Sequence, residues 1–199
     1  MIKQSRLFYR FIYYPLWLLL HIAHPRWHVS GKQNIPQEPY LMVCNHSAAT
    51  DVIYLAIAAH PYRLFRIMAK KELLEIPVIG FLLGKLGAFP VNRDGDDTAA
   101  MMSAMKTLKS GQSLLIFSEG TRIRDGKKSE PKGGAVLLAS RCNVPVVPVY
   151  LTQDKKFFHP IQIRFGEPYQ IKTSSRHIPK EELEQLTEEM MEKCYCLRK

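Results

Sequence analysis

Short apolar runs, each bounded by glycine, proline or polar residues, alternate along the chain with longer stretches in which apolar residues recur at helical spacing. Runs of strand length occupy residues 40–44, 65–69, 87–91, 113–117, 146–151 and 161–165. Stretches of helical periodicity occupy residues 51–59, 72–85 (interrupted by Pro77), 96–109, 133–142 and 180–196. Apolar strands separated by helices of this length indicate a sheet that is covered on both faces. We therefore predict an α/β fold in a single domain, with a mostly parallel or mixed central sheet flanked by helices.

The amino-terminal segment is apolar in a different way. Residues 7–22 are rich in aromatic and aliphatic side chains and follow a basic start. A signal peptide shares these features, but no small-residue cleavage site follows here. Because Arg10, Pro15 and His21 interrupt the segment, it falls short of the roughly 20 apolar residues that a membrane-spanning helix needs. We predict a helix that lies in the membrane interface, with its tyrosine and tryptophan rings at the level of the lipid head groups.

Length and composition support one folded domain behind this segment. With 199 residues, 46% of them apolar, the chain can bury a substantial core, whereas two full domains would be cramped. We therefore assign residues 1–26 to a membrane-binding segment and residues 27–199 to the domain. The alternative for the first segment is a helix packed on the domain's own core.

The charge balance is basic, since 28 Lys and Arg residues outnumber 18 Asp and Glu residues and give a net charge of +10. Such a field favours anionic partners, including phospholipid head groups, nucleic acid, phosphorylated substrates and acidic proteins, without choosing among them. The 4 cysteines have neither the density of a secreted disulfide scaffold nor the paired spacing of a zinc site. We expect reduced thiols and no metal site.

A candidate for chemistry is the segment CNHSAATDVIYL, residues 44–55, in which a histidine precedes an aspartate by five positions. On a continuous helix two such side chains would lie about 140° apart around the axis and would not meet. They can meet if His46 lies in the loop after the first predicted strand and Asp51 lies in the first turn of the next helix. Asp51 would then accept a hydrogen bond from one ring nitrogen, fix the tautomer and leave the other nitrogen to take a proton. Because the segment has no obvious protein nucleophile except Ser47, the pair predicts a base that activates a hydroxyl group of the substrate.

The segment IFSEGTRIRDGK, residues 116–127, is typical of a phosphate-binding loop. Gly120 permits a tight turn and a close approach of the backbone to a ligand. Thr121 and nearby backbone N–H groups can donate to phosphate oxygens, and Arg122 can bind a phosphate with two hydrogen bonds. Glu119, beside two arginines, would hold them in place through ion pairs.

Cations also follow the ends of two further predicted strands. Arg93 lies in the polar loop at residues 92–96, and Lys70 follows the strand at residues 65–69. Each of these features, like the histidine–aspartate pair, is by itself compatible with an ordinary structural or solvated role. Because open α/β sheets bind ligands at the carboxyl ends of their strands, we expect these cations and His46 to converge on one pocket.

Taken together, these segments resemble the glycerolipid acyltransferases, and specifically the bacterial 1-acyl-sn-glycerol-3-phosphate acyltransferases. The resemblance runs from about residue 27 to residue 170 and includes four blocks in the family's order. NHSAATD (45–51) is similar to the NHxxxxD block, GAFPVNR (87–93) to the second, FSEGTR (117–122) to the FPEGTR block and VPVVPVYL (144–151) to the fourth. Ser118 replaces the usual proline of the third block, and none of the departures removes a charged or catalytic residue.

The resemblance implies transfer of a fatty acyl group from a thioester to the sn-2 hydroxyl of 1-acylglycerol 3-phosphate (lysophosphatidic acid), which gives phosphatidic acid in phospholipid synthesis. His46 would be the general base, and Asp51 would orient it. The acceptor's phosphate would be held by residues that follow three of the strands, namely Lys70, Arg93, Glu119, Gly120, Thr121 and Arg122. No cofactor or metal is implied, because acyl-carrier protein or coenzyme A carries the acyl group as a co-substrate.

A lipid acceptor also explains the amino-terminal segment, and it predicts a peripheral or monotopic protein on the cytoplasmic face of the cell inner membrane. Nucleic acid is disfavoured as a partner, since the chain has neither zinc-finger spacing nor an RNP-like aromatic block. Two alternatives remain. The acceptor is another lysophospholipid or glycerol 3-phosphate, or the protein is a non-catalytic basic module that binds membranes or nucleic acid.

Overall fold

A seven-stranded sheet forms the centre of the protein in a computed structural model, which describes residues 6–60, 65–85, 87–91, 97–118, 131–175 and 177–198. The strands are β1 (Trp27–Ser30), β2 (Leu41–Cys44), β3 (Phe65–Lys70), β4 (Ala88–Val91), β5 (Ser113–Ile116), β6 (Val146–Leu151) and β7 (Ile161–Phe165). Their order across the sheet is β1-β7-β6-β2-β5-β3-β4.

The direction of the strands places many of the loops at one edge of the sheet. β6, β2, β5, β3 and β4 run parallel to one another, whereas β7 is antiparallel to β6 and parallel to β1. The sheet is therefore mixed, which confirms the predicted fold class. Since parallel strands end at the same edge, the loops that follow β2, β3, β4, β5 and β6 all leave the sheet there.

The helices cover both faces of the sheet. They are α1 (Arg6–Ala23), α2 (Asp51–Ala59), α3 (Lys71–Glu75), α4 (Pro77–Lys85), α5 (Asp97–Lys109), α6 (Gly134–Cys142) and α7 (Lys180–Cys196). One apolar cluster lies beneath α2, with Leu55 and Ala58 buried against the sheet. A second lies on the opposite face beneath α5, α6 and α7, where Leu108, Leu138 and Met190 are buried. Burial on both faces explains why the parallel strands are apolar runs without alternation.

The interruption predicted at Pro77 divides residues 72–85 into α3 and α4, because Pro77 begins a new helix after Ile76. The predicted elements agree with the observed ones to within one or two residues, with one exception. The edge strand β1 was not predicted, since its four residues, WHVS, do not form an apolar run and only the pairing with β7 defines it.

Among the side chains that the structure describes in helix α1, at residue 11 and residues 13–23, one face packs on the domain. Tyr13 and Leu20 contact the core cluster beneath α2, and the Tyr13 ring stacks on His60 with 4.0 Å between ring centroids. The other side of α1 is exposed, with Phe11 83% accessible and Leu19 61% accessible. Within the described residues, no helix combines the length and the apolarity that crossing a bilayer requires. Packing on the core, which was the alternative for this segment, therefore accounts for one face of the helix and leaves an apolar face uncovered.

Gly31, which follows the edge strand β1, has a backbone conformation that a substitution can test. Gly31 has a φ of 75°, and a Cβ built on it would lie 1.9 Å from the carbonyl oxygen of Phe165. We expect Gly31→Ala to lower the free energy of unfolding by about 2–4 kcal/mol, because it adds a clash with the backbone to left-handed strain. Gly111→Ala is a matched control, since Gly111 has a φ of 79° and no described atom lies within 4 Å of the added Cβ. It should cost about 1–2 kcal/mol from strain alone. Equal losses in denaturant titrations would contradict the clash.

Candidate active site

His46 and Asp51 are in direct contact. His46 lies in the loop after β2, and Asp51 is the first residue of α2, which is the arrangement that their spacing required. The distance from His46 Nδ1 to Asp51 Oδ2 is 2.9 Å. Since an ionised carboxylate only accepts, Nδ1 carries the proton of the neutral ring, and Nε2 is the nitrogen that can take another.

The loop between His46 and α2 wraps around the carboxylate. The backbone N–H groups of Ser47 and Ala48 donate to Asp51 Oδ2 at 2.7 Å and 3.0 Å. The Asp51 side chain is fully buried, with 0% of its surface accessible. Burial by itself would raise the pKa of Asp51, but the hydrogen bond from His46, the charge of Lys155 and the bond from Ala48 outweigh it, so the pKa lies below its ordinary value. Asp51 is therefore ionised at neutral pH.

Lys155, which was not among the residues predicted from the sequence, supplies a cation on the other side of Asp51. Its Nζ lies 2.8 Å from Asp51 Oδ1 and 2.5 Å from Ser47 Oγ. Its side chain is 7% exposed. The distance to Oδ1 is that of an ion pair, although the direction of approach is not that of a hydrogen bond. Lys155 follows the carboxyl end of β6, as Lys70 follows the predicted strand at residues 65–69. Its position after a strand was the signal in the sequence that could have identified it.

Asn45 fixes the two loops that carry these side chains. Its Nδ2 donates to the carbonyl oxygen of Leu151 at 2.9 Å, and the Leu151 N–H donates to Asn45 Oδ1 at 2.9 Å. Asn45 is 1% exposed. Since Asn45 follows β2 and Leu151 ends β6, this pair of hydrogen bonds ties the ends of the two strands together beyond the sheet ladder. His46 and Lys155 therefore reach Asp51 from neighbouring strand ends.

His46 also lies at a cavity. Its ring stacks on Phe117, which follows β5, with 4.1 Å between ring centroids. The cavity has a volume of about 470 Å³. Its walls come from α5, α6, α7 and the strands beside them, and they are mostly apolar, with Met68, Met101, Ala104, Leu115, Leu138 and Leu183 among the lining residues. An imidazole that is oriented by a carboxylate thus stands beside a space suited to an apolar chain.

The predicted phosphate-binding residues differ in what can be said of them. Lys70 is the last residue of β3, so its backbone lies at the same edge of the sheet as His46. The other predicted members lie outside the described residues, namely Arg93, Glu119, Gly120, Thr121 and Arg122. The strands β4 and β5, which precede them, end at that same edge. Throughout the described part of the chain, no group of three or more His, Cys, Asp or Glu residues is placed to hold a metal ion.

Comparison with known proteins identifies relatives over most of this chain. The family model "Acyltransferase" matches residues 26–152. The 1-acyl-sn-glycerol-3-phosphate acyltransferase of Bacillus subtilis is 34% identical over 167 residues, which cover 80% of this chain and 82% of that protein. The protein of the same name from Streptococcus pneumoniae is 33% identical over 154 residues, which cover 76% of this chain and 56% of that longer protein.

A solved structure shares the fold. The crystal structure of the 1-acyl-sn-glycerophosphate acyltransferase PlsC from Thermotoga maritima superposes with a TM-score of 0.72 at 22% identity, and the match covers 99% of this chain and 83% of that one. The family model spans more than half of the chain, and the Bacillus relative is similar over most of both lengths. The chain therefore belongs to the acyltransferase family that includes the 1-acyl-sn-glycerol-3-phosphate acyltransferases.

Proposed function

We propose that this protein transfers a fatty acyl group from acyl-carrier protein or coenzyme A to the sn-2 hydroxyl of 1-acylglycerol 3-phosphate, which gives phosphatidic acid. The observation that carries the proposal is the contact of 2.9 Å between His46 Nδ1 and Asp51 Oδ2, because it leaves a base beside an apolar cavity. Family membership supports the reaction, since the relatives from Bacillus subtilis and Streptococcus pneumoniae bear the name of this activity.

His46 acts as the general base of the transfer. Its Nε2 takes the proton of the acceptor's sn-2 hydroxyl while the hydroxyl oxygen bonds to the thioester carbonyl carbon. When the carbon–sulfur bond breaks, the thiolate leaves and takes up the proton from the imidazolium, so the products are an ester and a free thiol. Asp51 holds the ring in the tautomer that this step needs and stabilises the transient positive charge. No resident cofactor takes part, because the thioester supplies the activated acyl group.

The acceptor's phosphate is held at the same edge of the sheet. Arg93 and Arg122 supply charge and bidentate hydrogen bonds, Thr121 and the backbone at Gly120 donate to phosphate oxygens, and Glu119 organises the arginines. Lys70 adds a further cation. This assignment is supported by the parallel strands β3, β4 and β5, which end at the same edge of the sheet as β2, the strand that leads to His46.

The cavity beside His46 receives an acyl chain. Its volume of about 470 Å³ lies within the range of about 300–1,000 Å³ that is usual for small-molecule pockets. Methionine, leucine and alanine side chains line it, and such walls favour a hydrocarbon chain over a polar group. Phe117, whose ring stacks on His46, would lie at the junction between the reacting atoms and that chain.

The exposed apolar patch on α1, which includes Phe11 and Leu19, places the enzyme on the bilayer that holds its lipid substrate. The loop after β6 extends this patch with Phe157 and Phe158, which are 76% and 65% exposed. The Phe158 N–H donates to the Ala23 carbonyl oxygen at 2.8 Å, so the loop adjoins the end of α1. A large exposed apolar patch marks an interaction surface, and a net charge of +10 favours an anionic membrane. We assign residues 1–26 and this loop to peripheral or monotopic attachment at the cytoplasmic face of the inner membrane.

The base assignment predicts that His46→Ala loses activity while the fold is kept. Removing a positioned base should lower kcat by about 10²–10⁴-fold with 1-acylglycerol 3-phosphate as the acceptor. The fold should survive because the His46 side chain is partly exposed, at 16%, and lies in a loop. His28→Ala, at an exposed position of the edge strand β1, is the control and should act like the unchanged protein. Near-normal turnover by His46→Ala would refute the assignment.

The phosphate assignment predicts that Arg122→Ala mainly raises KM for the phosphorylated acceptor. Loss of a charge-assisted hydrogen bond is worth about 1.5–3 kcal/mol, which corresponds to roughly 10- to 100-fold in KM. The penalty should be absent with 1-monoacylglycerol, an acceptor without the phosphate. Arg141→Ala, at an exposed position near the far end of α6, is the control. An unchanged KM for 1-acylglycerol 3-phosphate in Arg122→Ala would remove this residue from the site.

Membrane attachment is best tested by surface substitutions, since deleting α1 would also uncover the core that Tyr13 and Leu20 cover. We expect the double variant Phe157→Ser, Phe158→Ser to bind phosphatidylglycerol vesicles at least about 10-fold more weakly than the unchanged protein. The reason is that burying a phenylalanine side chain is worth roughly 1.5–3 kcal/mol. Met102→Ser, at an exposed position of α5 on the opposite face of the sheet, is the control. Equal sedimentation of all three proteins with the vesicles would exclude the loop from the membrane surface.

A further inference from the structure

A lysine that is 7% exposed, 2.8 Å from the carboxylate that orients the base, is a further charge in the reacting region. Lys155 is neither in the histidine–aspartate segment nor in the predicted phosphate-binding set. Burying an ammonium group costs several kcal/mol unless it is paired. Its partners are Asp51 Oδ1, Ser47 Oγ and, at 3.5 Å, the carbonyl oxygen of Gln153. Lys155 therefore contacts one carboxylate oxygen of Asp51, and His46 contacts the other.

We propose that Lys155 is a positioning residue of the acyl transfer, and that its ammonium group balances the charge of Asp51 while His46 stays able to accept the substrate's proton. The proposal depends on the role of His46 as the base. A buried carboxylate whose one charged neighbour is an imidazole draws a second proton onto that ring, and a protonated ring is no longer a base. A cation on the other carboxylate oxygen removes this pull while it leaves the hydrogen bond that orients the ring.

The other groups around the pair do not replace this charge. Tyr54 of α2 lies near Lys155, with 6.0 Å from Nζ to the ring centroid. Its hydroxyl group donates a hydrogen bond to His24 Nε2, since His24 Nδ1 donates to the carbonyl oxygen of His159. Burial, together with the charge of Asp51, raises the pKa of Tyr54, so its hydroxyl group stays neutral. Lys132 lines the cavity beside His46, and Phe117 covers the face of the imidazole. Of the described residues, it is Lys155 whose ammonium group contacts Asp51.

Lys155 also fixes the loop that precedes α2. Its contact of 2.5 Å with Ser47 Oγ joins positions that are 108 residues apart in the chain. The backbone N–H of the same Ser47 donates to Asp51 Oδ2 at 2.7 Å. One lysine therefore contacts both the carboxylate and the loop whose N–H groups hold that carboxylate, which is how a residue that does not touch the substrate can act on the base.

The test is the pH profile of kcat/KM for Lys155→Met in the full-length chain, since methionine keeps the length of the side chain and removes its charge. We expect the acid limb to move to higher pH by about one unit, the shift produced by removing a unit charge from within about 10 Å at an effective dielectric constant near 20. At pH values below the acid limb, kcat/KM of Lys155→Met should be about 10-fold lower than that of the unchanged protein. At high pH the two values should approach each other. The control is Lys156→Met in the same loop, whose side chain is 76% exposed, and its limb should not move. An acid limb at the original pH in Lys155→Met would overturn the proposal, whether or not the rate is lower.

A double variant separates this role from simple packing. In an Asp51→Asn background there is no carboxylate charge to balance, so adding Lys155→Met should cost little further melting temperature. If Lys155→Met alone fails to fold, the double variant should regain the fold, because it buries no unpaired carboxylate. A double variant that also fails to fold, or a large further loss of melting temperature in the Asp51→Asn background, would show that Lys155 acts independently of Asp51 and would overturn the proposal.

Thermal unfolding provides a readout that does not depend on the acceptor. Lys155→Met should lose more melting temperature at pH 7 than at pH 4. Without the lysine the pKa of Asp51 rises, so in this variant the carboxyl group takes up a proton as the pH falls and the unpaired charge is relieved. The double variant should not show this dependence. Failure of the unchanged protein to acylate 1-acylglycerol 3-phosphate would refute the proposed function alone. A loss of melting temperature that is the same at both pH values would refute the charge balance alone.

Discussion

The buried charge of Asp51 is the constraint on which the site depends. A carboxylate with no accessible surface stays ionised only if donors and cations replace its water. Here the imidazole of His46 and the N–H groups of Ser47 and Ala48 contact one oxygen, and the ammonium group of Lys155 contacts the other. These partners come from two loops, whereas Asp51 itself begins a helix, so satisfying one charge also fixes the orientation of the His46 ring.

The sheet explains how these partners are brought together. Parallel strands end at one edge, so the loops after β2 and β6 start side by side. The side chain of Asn45 then closes the gap between them by bonding both backbone groups of Leu151. The buried side-chain amide of Asn45 thus makes the hydrogen bonds that a backbone pair would make if the pairing of the strands continued. The precision of the site thus comes from strand pairing and one side-chain amide, and the loops add the reactive groups.

Two apolar regions adjoin the site, and one is a cavity whereas the other is an exposed surface. The cavity beside His46 is lined by residues of α5, α6 and α7 on one face of the sheet. The exposed patch on α1, which Phe157 and Phe158 extend, lies on the side of α2. Lys155 and this phenylalanine pair belong to the same short loop after β6, so the segment that contacts Asp51 also reaches the apolar surface. An acyltransferase that acts on a lipid needs both an apolar space for a chain and an apolar surface for the bilayer.

The sequence by itself determined what depends on neighbours in the chain. Burial on both faces makes the parallel strands continuous apolar runs, Pro77 marks the break between α3 and α4, and the spacing of His46 and Asp51 suits a loop followed by a first helical turn. The edge strand β1 and the contact of Lys155 with Asp51 were decided by the tertiary structure, because both join segments more than 100 residues apart. Arg93 and Glu119–Arg122, to which we assign phosphate binding, lie outside the described part of the chain, so the sequence is the basis of that proposal. The spacing of residues that are near in the chain can be read directly from the sequence. The strand ends that become neighbours are set by the order β6-β2-β5-β3-β4, and this order results from packing the whole chain.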